Sequence, residues 1–320
     1  MRPALLFLFA IFACLLTLVC SGDAARPGKW ARRLTRLAHL RGGGSGSHED
    51  GYHPGKPVAA VVLPGNCVLD ATWRSATLIK RVSVAHDTDL LTFQLPDASK
   101  PLGLSTCACI LARGGSDKDG IAAVRPYTPV STNAMLGAFE LMVKTYPDGT
   151  LSRHLSSLAI GASLEFKHIP FNVKVQYPFG ARKLVMIAGG TGITPMLQAL
   201  HAVLGTASDT THVQLLYSSK AEADILARQA LDEWAASFPG RLEVVHTLTR
   251  EPAGSAWAGK RGRINKPMLH SLLPPPSDDV LVFVCGPPAM YADLCGPRGE
   301  KPLTGALKEL GYRARQVVKF

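Results

Sequence analysis

The sequence lacks the cysteine and histidine spacings that are typical of metal sites and of small folds stabilised by disulfides. Its seven cysteines are an odd number without paired zinc or iron–sulfur spacing, and its ten histidines show no ligand pattern. Cys107 and Cys109 are predicted to be small core residues on one face of a strand. We therefore expect no metal, no disulfide framework and a catalytic part in a reducing compartment.

Acidic residues are also scarce, with 24 against 35 basic ones and a net charge of +11. The basic residues are scattered, without a recognition helix or an aromatic-basic sheet, so no nucleic-acid partner is expected. Such a charge suits an acidic protein, an anionic cofactor or an anionic membrane, or is simply a solvated surface. No internal repeat is present, and 47% hydrophobic residues in a chain of 320 allow two globular domains.

Residues 71–178 contain short apolar or alternating runs between turn residues, a pattern typical of an antiparallel β-barrel. The predicted strands are 75–84, 90–95, 106–111, 138–146 and 163–168. A single helix is predicted at 151–158.

Residues 179–320 alternate between strand and helix patterns, which predicts a parallel sheet with crossover helices. The predicted strands are 183–188, 212–217, 242–248 and 280–285, and the predicted helices are 195–204 and 222–236. The fold class is therefore a β-barrel followed by an α/β domain.

The first informative motif is Arg125-Pro126-Tyr127-Thr128. It places a guanidinium suited to a phosphate, an aromatic face and a hydroxyl on one predicted strand. An ordinary edge strand with a surface arginine is the plain alternative. Gly149 to Ser152 begin the predicted helix, where free N–H groups suit a pyrophosphate, although most helix N-termini bind nothing.

The second and third motifs are Gly189-Gly190-Thr191-Gly192-Ile193-Thr194-Pro195 and Cys285-Gly286-Pro287-Pro288-Ala289-Met290. The glycine turn does not match the G-x-G-x-x-G fingerprint, so alone it is only moderate support for a phosphate site. Both motifs follow parallel strands, whose carboxyl ends meet at one edge of a sheet. We expect them to form one crevice, with Cys285 beside a ligand and not as a nucleophile.

With these motifs in this order, residues 73–320 resemble the NADH–cytochrome b5 reductase family of the ferredoxin–NADP reductase superfamily. The resemblance includes residues 143–149 and the segments 308–312 and 318–320, and it is strongest to the mitochondrial-type branch of plants and fungi. It implies an FAD-binding barrel at 71–178 and an NAD(P)-binding domain at 179–320. The implied activity is a reductase passing electrons from NADH through FAD to a one-electron acceptor such as cytochrome b5.

The resemblance also implies roles for individual residues. Thr128, Lys144 and Cys285 are expected to be catalytic. The residues expected to bind FAD are Arg125, Pro126, Tyr127, Thr128, Met142, Lys144, Tyr146, Gly149, Leu151 and Ser152. Those expected to bind the nicotinamide nucleotide are Gly190, Thr191, Gly192, Thr194, Thr249, Cys285, Gly286, Pro287 and Met290.

The chain departs from the family pattern in a few positions. Leu151 stands in place of a common methionine and Thr150 in place of a lysine, which changes FAD affinity modestly. Thr249 stands where many NADH-specific members have an acidic residue for the adenosine ribose. A threonine would not repel a 2′-phosphate, and Arg250 or Lys220 can attract one. Relaxed selectivity, with appreciable use of NADPH, is therefore expected.

Other functions remain open. A related reductase would use a ferredoxin, a ferric chelate or a quinone as its acceptor. A protein of another class would be a non-catalytic flavoprotein that serves as a membrane-tethered binding module. The sequence has neither an iron–sulfur cysteine set nor a fused heme domain, so a separate acceptor is expected.

The N-terminal segment 1–22 is a predicted signal or anchor, with an apolar run at residues 4–20 that follows Arg2. As a helix this apolar run would span about 25 Å, slightly less than a bilayer core of about 30 Å. It fits a cleaved secretory signal, which would give a lumenal protein, or an uncleaved anchor with basic residues on the cytosolic side. The need for a nicotinamide supply favours the anchor. Arginines 26–41 also suit mitochondrial targeting, so mitochondrion or endoplasmic reticulum is expected, with residues 23–70 as a basic flexible tether.

Overall fold

The computed structural model describes residues 52–60 and 66–320. The predicted leader and most of the predicted tether lie outside these residues. Among the residues described, no helix is long and apolar enough to cross a membrane.

The first half is an antiparallel sheet of six strands in the order β4-β3-β6-β1-β2-β5. Its elements are β1 (Arg74–Ala85), β2 (Thr88–Gln94), β3 (Ile110–Ser116), β4 (Ala122–Tyr127), β5 (Ala138–Lys144), α1 (Thr150–Ser157) and β6 (Ser163–Lys167). The Val130 N–H, just beyond β4, donates to Glu140 O on β5 at 2.9 Å. This bond links the two edges of the sheet, as the predicted barrel requires.

Three phenylalanines fill the interior of this barrel. Phe93, Phe139 and Phe166 are fully buried, with ring centroids 4.9 to 5.6 Å apart. They come from β2, β5 and β6, so the contact depends on the sheet curling round. Aromatic packing of this kind supplies a large share of the apolar burial in a small barrel.

The second half is a parallel sheet of six strands in the order β10-β9-β8-β7-β11-β12. Its elements are β7 (Lys183–Gly189), α2 (Ile193–Gly205), β8 (His212–Ser219), α3 (Arg228–Ser237), β9 (Leu242–Leu248), β10 (Lys260–Arg261), α4 (Lys266–Leu272), β11 (Val280–Cys285), α5 (Pro288–Leu294), α6 (Gly305–Glu309) and β12 (Val317–Lys319). Alternate side chains of β7 enter the apolar clusters on opposite faces of the sheet. A strand buried on both faces explains the continuous apolar run in the sequence.

The predicted strand 106–111 is largely wrong. Cys107 lies in a turn with φ of +62°, and β3 begins only at Ile110. The Ala108 N–H donates to Ser105 O at 3.0 Å, which closes the turn. The Cys107 thiol donates to Pro195 O at 3.2 Å, so a contact with the second half outweighs the local strand preference.

The predicted helix 222–236 is interrupted. A short 3-10 turn, Glu222–Asp224, precedes α3, and Ala227 between them has φ of +57°. The Asp224 carboxylate accepts the Ala221 N–H at 3.1 Å and so closes the turn. This local cap ends the first turn before a continuous helix can form.

Residues 52–60 lie within the predicted tether, yet they pack against the second half. We call them the N-terminal strap. Tyr52 is 2% exposed and contacts the core around α2. The Val58 N–H donates to His201 Nδ1 at 3.1 Å, and Trp234 Nε1 donates to Gly55 O at 2.8 Å. The strap thus joins α2 and α3 on the outer face of the sheet.

Candidate functional site

The rim of the barrel carries the first group of predicted site residues at the end of β4. Arg125 is exposed, and its guanidinium donates only to Val124 O at 2.8 Å, with no carboxylate partner among the described residues. Pro126 is exposed beside it. Burial raises the pKa of Tyr127 to about 12 against the opposing charge of Arg125. The Thr128 hydroxyl forms no hydrogen bond within the described part of the chain.

Neighbouring β5 contributes Met142, Lys144 and, just beyond it, Tyr146. Met142 is buried, whereas Tyr146 is 50% exposed and close enough to Tyr127 to affect its pKa. Lys144 Nζ lies 2.5 Å from an Asp87 oxygen and 3.4 Å from Asp224. The ammonium of Lys144 is therefore held by two carboxylates and is not a free cation.

The N-terminus of α1 leaves backbone donors available. Gly149 precedes the helix without a side-chain cap, and the first N–H to reach a preceding carbonyl is that of Arg153, 3.2 Å from Gly149 O. The N–H groups of residues 150–152 have no partner among the described atoms. A Cβ at Gly149 would overlap the hydroxyl of Ser152, so the Ser152 side chain lies close against this start of the helix. Leu151 is buried, which anchors the first turn beneath these donors.

The carboxyl ends of β7 and β11 meet, as the sequence predicts. A Cβ on Gly192 would overlap the carbonyl oxygen of Cys285. Met290 lies against this junction and would be touched by a side chain at Gly189 or Gly286. β7 and β11 are adjacent in the sheet. After β7 the chain continues to β8 on one side of this pair, and after β11 it continues to β12 on the other side. The junction is therefore the topological switch point, where open α/β sheets bind ligands.

The glycine turn itself is a short 3-10 helix, Gly190–Gly192, leading into α2. Gly190 has φ of +54° with nothing within 4 Å of its Cβ position, so space is open above the turn. The Thr194 hydroxyl donates to Thr191 O at 3.2 Å, and Thr191 is half-buried. Tyr217 donates to Gly190 O at 3.0 Å and fixes the turn from below.

The Cys285 thiol has low reactivity. Burial raises the pKa of the thiol to about 11, outweighing the opposing effects of Tyr291 and Arg298. The thiol is therefore neutral at physiological pH and a poor nucleophile, as expected from the sequence. Pro287 is exposed beside it, so the end of β11 presents an uncharged, weakly polar surface.

Side chains of α2 connect this crevice to the barrel rim. Gln198 Nε2 donates to Pro129 O at 2.8 Å and to Ser131 O at 2.6 Å. Both acceptors lie directly after the β4 motif. The helix that follows the glycine turn therefore holds the segment carrying Tyr127 and Thr128 in a fixed place.

Thr249 lies apart from this junction, just beyond β9. Its N–H donates to Ser219 O at 3.0 Å, and its hydroxyl donates to the same oxygen at 3.2 Å. The carboxyl ends of β8 and β9 are therefore joined, along the same edge of the sheet as the glycine turn.

Sequence reasoning missed several residues that organise the site. Gln198, Tyr217, Asp87 and Asp224 were not singled out. A glutamine in a largely apolar helix was a usable signal for Gln198, because a half-buried amide needs partners. The two aspartates gave no signal, since only the tertiary structure brings them to Lys144.

The two halves suit two different anionic cofactors. The barrel rim offers an unpaired guanidinium, a half-buried aromatic ring and three free N–H groups at α1, which fits the phosphates and flat ring of FAD. The switch point offers a glycine turn with open space and a neutral thiol, which fits a nicotinamide nucleotide. The residues present are therefore compatible with both groups.

Comparison with known proteins supports this division. A family model described as an oxidoreductase FAD-binding domain matches residues 75–170, and one described as an oxidoreductase NAD-binding domain matches residues 186–296. The cytochrome b5 reductase domain of Ulva prolifera nitrate reductase matches with a TM-score of 0.68 and 30% identity, over 82% of this chain and 100% of that one.

Curated relatives agree with the structural match. The chain is 37% identical over 260 residues to "NADH-cytochrome b5 reductase 2" of Coccidioides immitis, covering 78% of each chain. It is also 37% identical over 247 residues to the protein of that name from Botryotinia fuckeliana, covering 74% of this chain and 69% of that one. The chain binds FAD and NAD through its two halves, and it belongs to the NADH–cytochrome b5 reductase family of oxidoreductases.

Proposed function

We propose that this protein oxidises NADH and delivers the electrons, through FAD, to cytochrome b5. The observation that carries the proposal is the pair of Gln198 hydrogen bonds that link the switch point to the barrel rim. A hydride donor and its acceptor must stack closely with water excluded. A helix side chain that links the two half-sites supports such an arrangement.

On the barrel side, Arg125 and the N-terminus of α1 bind phosphate, with Gly149, Leu151 and Ser152 shaping the turn. Tyr127 would lie against the flat flavin ring, and the Thr128 hydroxyl would hydrogen-bond to the ring. The remaining residues that flank the ring are Pro126, Met142, Lys144 and Tyr146. The free guanidinium and the uncommitted Thr128 hydroxyl support these roles.

On the α/β side, Gly190, Thr191 and Gly192 cradle the nucleotide phosphate while Thr194 caps the turn. Cys285 lies against the nicotinamide, supported by Gly286, Pro287 and Met290. Its neutral thiol would place no charge beside the reacting ring. Bound FAD supplies the conversion of a two-electron hydride into single electrons.

The acceptor is inferred from charge and from relatives. The relatives matched here are called NADH–cytochrome b5 reductases. A net charge of +11 favours association with an acidic heme protein. The alternative acceptors are a ferric chelate, a quinone or a ferredoxin. Acceptor assays distinguish these from cytochrome b5.

We further propose that residues 1–22 anchor the protein in a membrane of the mitochondrion or the endoplasmic reticulum, with the catalytic part in a reducing compartment. The apolar run beside a basic segment supports this proposal. Alkaline carbonate extraction of cell membranes tests it. Release of the full-length chain into the soluble fraction would contradict anchoring.

The function is tested by absorbance titration of the purified protein. We expect a yellow protein whose flavin absorbance is bleached by one equivalent of NADH and restored by oxidised soluble cytochrome b5. Ferric citrate and a soluble quinone serve as parallel acceptors. Bound FAD that NADH does not bleach in a stopped-flow trace would contradict the reductase and favour a binding module.

A further inference from the structure

A buried tyrosine lies directly behind the carboxyl end of β11. Tyr291 belongs to the first half of α5, and the residue is 3% exposed. Side chains on a helix tilt toward its N-terminus, so the phenol of Tyr291 points back toward β11, the strand that this helix follows. A buried phenol needs hydrogen-bond partners, and those of Tyr291 lie around Cys285.

The first partners of Tyr291 are backbone carbonyls next to Cys285. The Tyr291 hydroxyl donates to the Phe320 carbonyl oxygen at 2.5 Å and lies 3.3 Å from the Val284 carbonyl oxygen. Val284 immediately precedes Cys285 in β11. The Phe320 N–H donates to Val284 O at 3.0 Å, and β12 runs parallel to β11, so Phe320 lies alongside Cys285. The phenol is therefore bonded to the backbone before Cys285 and beside it.

The same hydroxyl is close to the Cys285 thiol itself. Burial raises the pKa of this thiol, and a hydrogen bond from Tyr291 opposes that rise. Burial also raises the pKa of Tyr291 well above its usual range, so the phenol keeps the proton that it donates. Arg298 lowers the pKa of the thiol and Cys109 raises it, but both act only through their charge.

The backbone of Cys285 is held from the opposite direction by the glycine turn. A Cβ on Gly192 would overlap the Cys285 carbonyl oxygen, so the turn packs directly on this residue. This contact leaves the Cys285 side chain free to rotate about its Cα–Cβ bond, which allows three staggered rotamers. The Tyr291 hydroxyl lies where it can select one of them.

We infer that Tyr291 is a positioning residue, whose hydroxyl holds the Cys285 thiol in the orientation that meets a bound nicotinamide. The inference rests on the proposed function for the presence of the nicotinamide beside Cys285. A displacement of about 1 Å in a site can slow a reaction about a hundredfold. The phosphates of the dinucleotide are bound at the glycine turn, so loss of the Tyr291 hydroxyl is expected to affect hydride transfer more than affinity.

The kinetic test compares Tyr291→Phe with the wild type in FAD-loaded protein, by stopped-flow reduction with NADH. Removal of the hydroxyl alone is expected to lower the limiting rate of flavin reduction about fivefold or more, with less than about a twofold change in the Kd for NADH.

The matched control is Tyr312→Phe. Tyr312 is 4% exposed, and its hydroxyl also donates to a carbonyl oxygen, that of Pro274, at 2.6 Å. Pro274 lies between α4 and the start of β11, at the end of that strand opposite to Cys285. This control is expected to keep both constants within about twofold of the wild type. A limiting rate for Tyr291→Phe that matches the control would overturn the inference.

A double-mutant comparison shows whether Tyr291 acts through Cys285. Tyr291→Phe is introduced into Cys285→Ala, which has no thiol to hold. If the hydroxyl works by placing the thiol, the added substitution lowers the limiting rate by less than about twofold in this background. A further loss as large as in the wild type would overturn the inference, because Tyr291 would then act independently of the thiol.

Alkylation of Cys285 tests the contact without hydride transfer. The thiolate is the reactive form, so loss of a hydrogen bond that favours it is expected to slow the reaction with iodoacetamide about fivefold or more at about pH 8.5. Mass spectrometry of the peptide that contains Cys285 separates this thiol from the other cysteines, and Tyr312→Phe is again the control.

This measurement also separates the inference from the reductase itself. Slower alkylation of Cys285 in Tyr291→Phe than in the control supports the inference even if NADH fails to bleach the flavin. Unchanged or faster alkylation, in a protein that NADH does reduce, overturns the inference and leaves the reductase intact.

Discussion

At the scale of single residues, the crevice depends on backbone approach that only glycine permits. At Gly192, a Cβ would overlap the carbonyl oxygen of Cys285, and backbone cannot move aside as a flexible side chain can. Gly192→Ala is expected to destabilise the protein by about 2–4 kcal/mol and to weaken NADH binding, because β7 and β11 must separate. Urea unfolding and the KM for NADH measure the two effects.

The control for this substitution is Gly254→Ala, since nothing lies within 4 Å of the Cβ position of Gly254. It is expected to change stability by less than about 0.5 kcal/mol. Equal effects of the two substitutions would show that the close approach at Gly192 does not matter. The motif around Gly192 was recognisable in the sequence, whereas its contact with Cys285 followed only from the parallel-sheet topology.

At the scale of secondary-structure elements, a partly buried ion cluster ties the barrel to the α/β half. Lys144 at the end of β5 contacts Asp87 in the β1–β2 turn and Asp224 in the turn after β8. Burial opposes ionisation of Asp87, but the hydrogen bond and charge of Lys144 outweigh it and lower the pKa of that carboxyl. These side chains are 11 to 25% exposed, so solvent screens them only in part.

Asp224→Asn is therefore expected to cost about 1–2 kcal/mol of stability and to loosen the contact between the halves. Thermal unfolding and protection of residues 219–226 from amide exchange measure this. Asp278→Asn is the matched control, because Asp278 is 76% exposed in its pairs with Arg313 and Arg315, and a loss near zero is expected. A loss as small for Asp224→Asn as for the control would mean that the cluster does not join the halves.

The elements also show where sequence patterns are informative. The strands 242–248 and 280–285 were predicted with their observed bounds, and the helix 151–158 was displaced by one residue, because apolar patterns and turn residues act locally. Strand 106–111 was wrong because a distant partner intervened, since the Pro195 carbonyl oxygen accepts from the Cys107 thiol. Helix 222–236 was interrupted by a local cap, in which the Asp224 carboxylate accepts the Ala221 N–H, and Asp224 also pairs with the distant Lys144. No local pattern in the sequence records such contacts.

At the scale of the whole molecule, the N-terminal strap ties the beginning of the described chain to the back of the nucleotide-binding sheet. Its bond from the Val58 N–H requires an unprotonated His201 Nδ1. His201 is 3% exposed and packs against Trp234 with ring centroids 4.8 Å apart. Burial lowers the pKa of His201 to about 4, so the neutral ring that the strap needs is the favoured form.

This depression of the His201 pKa makes stability depend on pH in a definite direction. Between about pH 6.5 and pH 4 the unfolded chain binds a proton at His201 that the folded chain does not, so stability falls as the pH falls through this window. The expected loss from this group by pH 4.5 is roughly 2–3 kcal/mol.

Urea unfolding at pH 7.5, 5.5 and 4.5 measures this loss of stability in the wild type and in His201→Gln, whose amide oxygen can still accept the Val58 N–H. The variant is expected to lose less stability than the wild type over this range, because its side chain does not titrate. Parallel pH curves for the two proteins would mean that acid sensitivity arises elsewhere and that the strap does not depend on His201.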